Sequence, residues 1–346
     1  MRIALVGAGG MGTCHYMNYR HIEGAQVVAL VGRGERDRAH AEQWGLPLYT
    51  CVDEANRREQ IDLFDVCVPT YLHKAIVLEA LACGVPVLVQ GDVKKGFVTE
   101  AEDLAPYVTE RTKALILNSP NNPNGCIWNR EQLAGIAKLA VEKGFYVVSD
   151  EIYEKLIYDG ARHFSVASVS EEVRRRTVTV NGFSKAFAMP GWRLGYMAAA
   201  GDVAKAVADI QGHMTSAPNS IAQKAALAGL TGPQDAVEAM RAEYQRRRDF
   251  ACEALRAMPG VELVKPRGAF YLFPRVTALY GARRGKYRVD SSRDLADYLL
   301  EEAKIAVVFG EAFFAPGYLR LSYATSMDLL KEALRRMADA LARLRR

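Results

Sequence analysis

The sequence contains no CxxC pair. Its six cysteines (Cys14, Cys51, Cys67, Cys83, Cys126 and Cys252) are scattered, several of them inside apolar runs. That spacing excludes a zinc ribbon or a disulfide framework and reads as small buried thiols in a reducing compartment. No apolar stretch reaches the length that spans a bilayer, so no membrane partner is expected. Residues 1–7 read as a strand entering a glycine loop, not as a secretory leader, and the expected location is cytoplasmic. There is also no basic stripe with interleaved aromatics. The net charge of +5 owes much to Arg335, Arg336, Arg343, Arg345 and Arg346 near the carboxyl end. Arginines there favour the negative end of a helix dipole and a solvated face, so nucleic acid is not an expected partner. Internal repeats and low-complexity linkers are absent.

What is present is an ordinary globular composition: 346 residues, half of them apolar and a quarter charged, enough for two or three domains. Strand-like runs are read near Ile3–Val6, Val27–Val31, Phe64–Val68, Pro86–Val89, Ala114–Leu117, Phe145–Val148, Val178–Val180 and Gly195–Ala199, with helical segments between them. That alternation predicts an α/β fold, a mostly parallel sheet with helices on both faces. A long polar-faced helix follows over Pro233–Ala257. Beyond it come apolar runs at Val261–Val264 and Ala269–Phe273, a helix over Ser292–Ala303, strands at Ile305–Val308 and Leu319–Tyr323, and an amphipathic helix over Thr325–Leu344. Thr325 and Asp328 are its expected capping box, and Leu329, Leu330, Leu334, Met337 and Leu341 its apolar stripe. This last region predicts a smaller α+β domain. The expected division is 1–90, 91–235 and 236–346.

Gly7-Ala8-Gly9-Gly10-Met11-Gly12 follows the first strand and opens a helix, the context that gives a G-x-G-x-x-G run meaning. Gly7 suits the tight turn, Gly9 the approach of a pyrophosphate, and Gly12 close packing of helix on strand. The loop is a candidate site for a dinucleotide or a single phosphate, or a bare strand-to-helix turn. With the run Asp65–Ala75 and the segment Val77–Gly84, it resembles the amino-terminal domain of the glucose–fructose oxidoreductase and inositol dehydrogenase family. The resemblance implies a Rossmann fold and NAD(P) as cofactor. Two departures stand out. Gly32 occupies the position of the acid that binds the ribose hydroxyls, and the Arg33 beside it suits the 2′-phosphate of NADP. The Glu-Lys-Pro motif that carries that family's catalytic lysine is replaced by Gln90-Gly91-Asp92. His73 reads as a loop or capping residue, and His15 and His21 on the first helix need no special role.

Three further segments offer a different chemistry. Residues 119–123 (SPNNP), 149–153 (SDEIY) and 184–193 (SK through GWR) each end or follow an apolar run, and between them they supply an amide, a carboxylate, a phenol, an amine and a guanidinium. In this order, and with Gly268–Tyr271 and Arg320, they resemble the class I aminotransferases of pyridoxal phosphate (PLP) fold type I over about residues 84–346. The resemblance implies PLP as cofactor and an α-amino acid and a 2-oxo acid as substrates. By the same resemblance Lys185 bonds to the cofactor and shuttles the proton, and Asp150 pairs with the pyridinium nitrogen. Tyr153 and Asn122 would hold the ring oxygen, Arg193 with Ser184 the phosphate, and Arg320 the substrate α-carboxylate. Gly268–Tyr271 helps to line the site, and a homodimer is implied. Asn124 stands where the family has threonine.

No motif matches that family's first third, which supplies a phosphate-binding helix terminus, a ring-stacking aromatic and a tyrosine from the partner subunit. The join between the two resemblances lies within Ala82–Val89. Three readings follow: an aminotransferase, impaired to the extent that the replaced segment matters; an NAD(P)-binding oxidoreductase-like protein; or a non-catalytic hybrid scaffold.

Overall fold

The computed structural model describes residues 2–20, 24–67, 91–110 and 112–345. His21, the segment Val68–Gly84 with His73 and Cys83, the strand read at Pro86–Val89 and the join within Ala82–Val89 lie outside the described residues. The chain divides into two compact units, Met1–Leu88 and Val89–Arg346.

In the first unit the strands β1 (Arg2–Val6), β2 (Gln26–Val31), β3 (Leu48–Tyr49) and β4 (Leu63–Val66) form a parallel sheet in the order β3-β2-β1-β4. The run Ile3–Val6 is apolar without alternation because it is covered on both faces. Ile3 and Leu5 pack into one cluster with Val27 and Leu30, while Ala4 and Val6 pack into another with Ala29 and Val31. The helices α1 (Gly10–Tyr19), α2 (Glu35–Trp44) and α3 (Val52–Glu59) connect the strands. β3 was not read from the sequence; only two residues, Leu48 and Tyr49, extend the pairing.

The second unit begins with a short helix, α4 (Ala101–Leu104), and its main sheet joins β5 (Ala114–Asn118), β6 (Tyr146–Asp150), β7 (Thr177–Gly182) and β8 (Gly195–Ala198) in sequence order. The first three are parallel and β8 is an antiparallel edge. α5 (Arg130–Lys143) joins β5 to β6. It starts at Asn129, whose side chain accepts from the Gln132 N–H, and stops at Gly144 in the left-handed conformation. Its Leu133, Ile136, Ala137 and Ala140 are buried with Leu117 and Val147 of the sheet. α6 (Glu171–Arg175) precedes β7, and α7 (Gly201–Thr215) and α8 (Ser220–Thr231) lead to the long α9 (Asp235–Arg256).

The carboxyl-terminal part is α+β, with its own apolar cluster. β9 (Tyr271–Leu272) lies in a three-stranded antiparallel sheet with β12 (Val308–Phe309) and β13 (Leu319–Ser322), and β10 (Arg283–Arg284) and β11 (Tyr287–Arg288) form a hairpin. α10 (Ser292–Ala303) and α11 (Met327–Ala342) pack on the sheet. The run Val261–Val264 contributes a bridge between Glu262 and Arg275. Two expectations need correction. The strand expected at Ile305–Val308 is confined to Val308–Phe309. α11 is capped by Ser326, whose hydroxyl accepts from the Leu329 N–H, and not by a box of Thr325 and Asp328. Thr325 and Ser326 are both competent caps, and the chain places the second at the turn.

A buried charge ties α9 to the main sheet's loops. The Arg248 side chain is fully buried; it donates to both carboxylate oxygens of Asp159, at 2.7 and 2.9 Å, and to the Pro266 carbonyl at 3.0 Å. Its guanidinium also lies 4.8 Å from the centre of the Tyr158 ring and contacts Asp249. Arg248→Ala removes this charge and its packing, and is expected to cost about 3 kcal/mol by leaving acceptors without their donor. Asp159→Asn keeps an oxygen acceptor and leaves Asp249 paired with the guanidinium, and is expected to cost less than Arg248→Ala. Urea denaturation of both variants measures the difference.

Candidate active site

The carboxyl edge of the main sheet collects the chemistry. Asn118 ends β5 and pairs in register with Asp150, which ends β6. The Asn118 side chain fixes two neighbours: its Nδ2 donates to the Asp150 carbonyl at 3.1 Å, and its Oδ1 accepts from the Asn122 N–H at 2.8 Å. The turn after it is closed by Gly125 N–H on the Asn121 carbonyl and Asn121 N–H on the Cys126 carbonyl, both at 2.9 Å. Asn122 is thereby held over the strand end. The region outside the carboxyl ends of parallel strands is where open α/β sheets bind ligands.

Asp150 is half-buried, and its Oδ1 accepts from the Ile152 N–H at 3.1 Å. Burial pushes its pKa up; the Ile152 N–H opposes this and the neighbouring Glu151 charge adds to it. Glu151 itself is buried and points into a separate polar cluster. One oxygen meets His163 Nε2 at 2.8 Å, and the other accepts from Ser149 and Ser165 at 2.9 and 2.7 Å.

Tyr153 is buried, and its hydroxyl lies 2.9 Å from the Tyr271 hydroxyl. Its pKa is raised, first by burial and then by the bond to Tyr271, while Arg320 pulls the other way. Lys185 Nζ lies 5.9 Å from the centre of the Tyr153 ring and 5.5 Å from that of Phe270. Arg320 donates from Nη1 to Asn122 Oδ1 at 2.9 Å, and its guanidinium rests between Tyr271 and Phe313, 4.7 and 4.8 Å from their ring centres. Among the described residues, Arg320 has no carboxylate within ion-pair distance. Lys185, Tyr153 and Arg320 are thus linked through Tyr271 and Phe270, Asn122 joins them through Arg320, and Asp150 is tied to Asn122 through Asn118.

Ser184 and Arg193 sit on the loop between β7 and β8. The Phe183 N–H donates to the Leu194 carbonyl at 3.3 Å and the Met189 N–H to the Phe183 carbonyl at 3.2 Å, so the loop folds back on itself. Arg193 is exposed, has a backbone φ of 51°, and donates from Nη1 to the Pro190 carbonyl at 2.9 Å. The residues the sequence reading missed are Asn118 and Phe313. Asn118 had a signal, a polar residue closing an apolar strand just ahead of the SPNNP turn. Phe313 had none, because its contact with Arg320 is set by the tertiary fold.

In the first unit the Gly7 N–H donates to the Val31 carbonyl at 2.9 Å. A Cβ on Gly12 would lie 2.0 Å from the Gly7 carbonyl oxygen, whereas one on Gly9 would meet nothing within 4 Å. The turn therefore requires glycine at position 12 and leaves open space at Gly9. His15 is more engaged than the sequence suggested: its Nδ1 lies 2.8 Å from Asp65 Oδ2 and 3.2 Å from Cys67 Sγ. One ring nitrogen faces both groups, so this is not the relay geometry of a nucleophilic triad, which uses the two ring nitrogens separately.

Comparison with known proteins accounts for both halves. The model for "Aminotransferase class I and II" matches residues 62–337, and that for "Oxidoreductase family, NAD-binding Rossmann fold" matches residues 1–118. An aspartate aminotransferase of Bacillus sp. (strain YM-2) is 46% identical over 74% of the chain and 64% of its own length. A probable aspartate/prephenate aminotransferase of Aquifex aeolicus is 46% identical over 75% of the chain and 64% of its own length. Among solved structures, the aromatic aminotransferase of Pyrococcus horikoshii superposes with a TM-score of 0.69 at 42% identity, covering 74% of this chain and 67% of that one. The aspartate aminotransferase of Thermus thermophilus with maleate gives 0.68 at 43%, covering 76% and 66%. The chain spans about 64% of the length of the curated relatives it matches. With that shortfall, and with a Rossmann unit ahead of the matching region, the chain belongs to the class I and II aminotransferase family.

Proposed function

We propose that the second unit is the catalytic part of a PLP-dependent aminotransferase that moves an amino group between an α-amino acid and a 2-oxo acid. In this reading residues 91–235 hold the cofactor, residues 236–346 form the small domain, and the protein works as a cytoplasmic homodimer. The observation that carries the proposal is the gathering of Lys185, Tyr153, Asn122 and Arg320 around two aromatic rings at the sheet's carboxyl edge, beside a carboxylate whose pKa burial has raised.

The donor set fits PLP. When bound, the cofactor supplies an aldehyde carbon for amine capture and a ring that draws electron density from the substrate. Asp150 would hold the proton on the ring nitrogen; a buried carboxylate that resists ionisation alone gains most from a cation beside it. Tyr153 would donate its hydroxyl proton to the ring oxygen, and Asn122, whose Oδ1 accepts from Arg320, would offer its Nδ2. Arg193 and Ser184 would bind the phosphate. Arg320, already oriented by two rings and an amide, would take the substrate α-carboxylate as a fork. Lys185 would then take the proton from the substrate α-carbon. A second reading applies to the first unit, a nucleotide-binding module supported by the open space at Gly9 and the forced glycine at position 12.

Adding PLP to the full chain is expected to give a visible absorbance band that Lys185→Ala abolishes, with amino-group transfer falling to background. A wild-type chain that develops no band would remove the enzyme reading. Asp150 gives a second test. Its folded pKa is raised, so the folded state keeps the proton better than the unfolded one, and stability falls as pH rises through the folded value. In the cofactor-free protein, Asp150→Asn should therefore raise Tm at neutral pH. The gain should vanish as the pH falls below the ordinary aspartate value of 3.8. The same variant should bind PLP more weakly by fluorescence titration.

A further inference from the structure

The amino-terminal unit lacks the acid at the end of β2 that a Rossmann site uses to hold a ribose, yet a carboxylate stands in that place. Asp37, in the first turn of α2, folds back over Gly32. Its Oδ1 accepts from the Ala8 N–H inside the glycine loop at 2.8 Å, and its Oδ2 from the Gly34 N–H at 3.0 Å. A Cβ on residue 32 would sit 2.3 Å from the Asp37 carboxyl carbon and 2.4 Å from Oδ2. The carboxylate thus occupies the space into which a side chain at position 32 would begin, and glycine at 32 is what admits it.

We infer that Asp37 replaces the missing ribose acid, and that the first unit selects an adenine dinucleotide with a free 2′-hydroxyl over one with a 2′-phosphate. Each Asp37 oxygen spends one lone pair on a backbone N–H and keeps another for a ribose hydroxyl. The two N–H bonds come from different elements, the glycine loop and the start of α2, so the carboxylate is fixed before any ligand arrives. A 2′-phosphate would bring like charge against it, which disfavours binding. The competing device is Arg33, the residue that suits a 2′-phosphate; its Nε is committed to the Thr50 carbonyl at 2.9 Å. Asp37 and Arg33 pull the preference in opposite directions, and the carboxylate is the one lodged against the glycine loop.

The test is calorimetric titration of the full-length chain with NADH and with NADPH, in wild type and in Asp37→Asn, with circular dichroism to establish folding. NADH should bind at least tenfold more tightly than NADPH in the wild type, and Asp37→Asn should shrink that ratio by tenfold or more. In Asp37→Ala, adding Gly32→Asp should restore the NADH preference. Equal or tighter binding of NADPH by the wild type would make Arg33 the determinant and overturn the inference. So would binding of neither dinucleotide, or a ratio that Asp37→Asn leaves unchanged. None of these outcomes touches the aminotransferase reading, because the readout involves neither PLP nor transfer activity.

Discussion

The geometry of the candidate active site depends on one buried cation. Arg248 is fully enclosed and has only fixed acceptors, the Asp159 carboxylate, the Pro266 carbonyl and the neighbouring Asp249. A guanidinium removed from water must keep such partners or lose several kcal/mol, so the segments around Asp159 and Pro266 are not free to separate. Between them the backbone closes a short antiparallel contact: Tyr158 N–H on the Arg267 carbonyl at 3.0 Å, and Ala269 N–H on the Leu156 carbonyl at 2.9 Å. The hydroxyls of Tyr158 and Tyr323 both donate to the Ala269 carbonyl. Tyr153 lies just before this contact and Phe270 and Tyr271 just after it. The clasp is therefore what brings the two phenols together and sets the aromatic wall beside Lys185, although no member of it touches the reacting groups.

The sequence disclosed the parts of the site that lie at strand ends. Asn122, Asp150 and Lys185 each follow an apolar run, and such runs are readable because a parallel strand buried on its faces needs them. The spacing of Leu330, Leu334, Met337 and Leu341 likewise gave the last helix, since one face must be apolar. What stayed hidden was set by partners distant in sequence. Arg320 is 198 residues from the Asn122 amide that orients it, and Tyr271 is 118 from Tyr153. Asp37 was concealed for the same reason: read locally it is a first-turn acid of a helix, and only the fold puts it over Gly32. The strand expected at Ile305–Val308 was overestimated because an apolar run signals burial without saying whether a neighbour offers backbone to pair with.

Both units use the same local device, a loop after a parallel strand that presents polar groups at the carboxyl edge of a sheet. In the first unit the loop carries glycines, one of which, Gly12, packs too close to the Gly7 carbonyl oxygen to admit a Cβ. In the second the loops carry side chains, among them the amine, the acid and the guanidinium that the proposed function calls on. One chain matches an oxidoreductase Rossmann model over residues 1–118 and an aminotransferase model over residues 62–337, and the two matches overlap. A strand–loop–helix pattern satisfies either description until the loop residues are read for their chemistry.

The shortfall in length bears unequally on the two ends of the proposed cofactor site. The ring end is enclosed: Tyr153 is buried and Asp150 is sheltered enough for its pKa to rise. The phosphate end rests on Arg193, which is exposed, and Ser184, which is half-buried. Coulomb attraction in water-like surroundings is several-fold weaker than in a protein interior, and an exposed arginine must also give up side-chain freedom to hold its ligand. On the sheet, Ile116 is 77% exposed and Val180 38%, so apolar surface of the same unit is open as well. In the proposed reading, binding strength at this site would fall mainly to the ring contacts and to Lys185. In that reading Arg193 would hold the phosphate less firmly than Asp150 and Tyr153 would hold the ring, and a displacement of about an ångström at reacting atoms costs on the order of 100-fold in rate. In the proposed reading the ring-binding residues Tyr153 and Asp150 are sheltered while Arg193, which would anchor the phosphate, is exposed, and positioning rather than the supply of reactive groups would limit the rate.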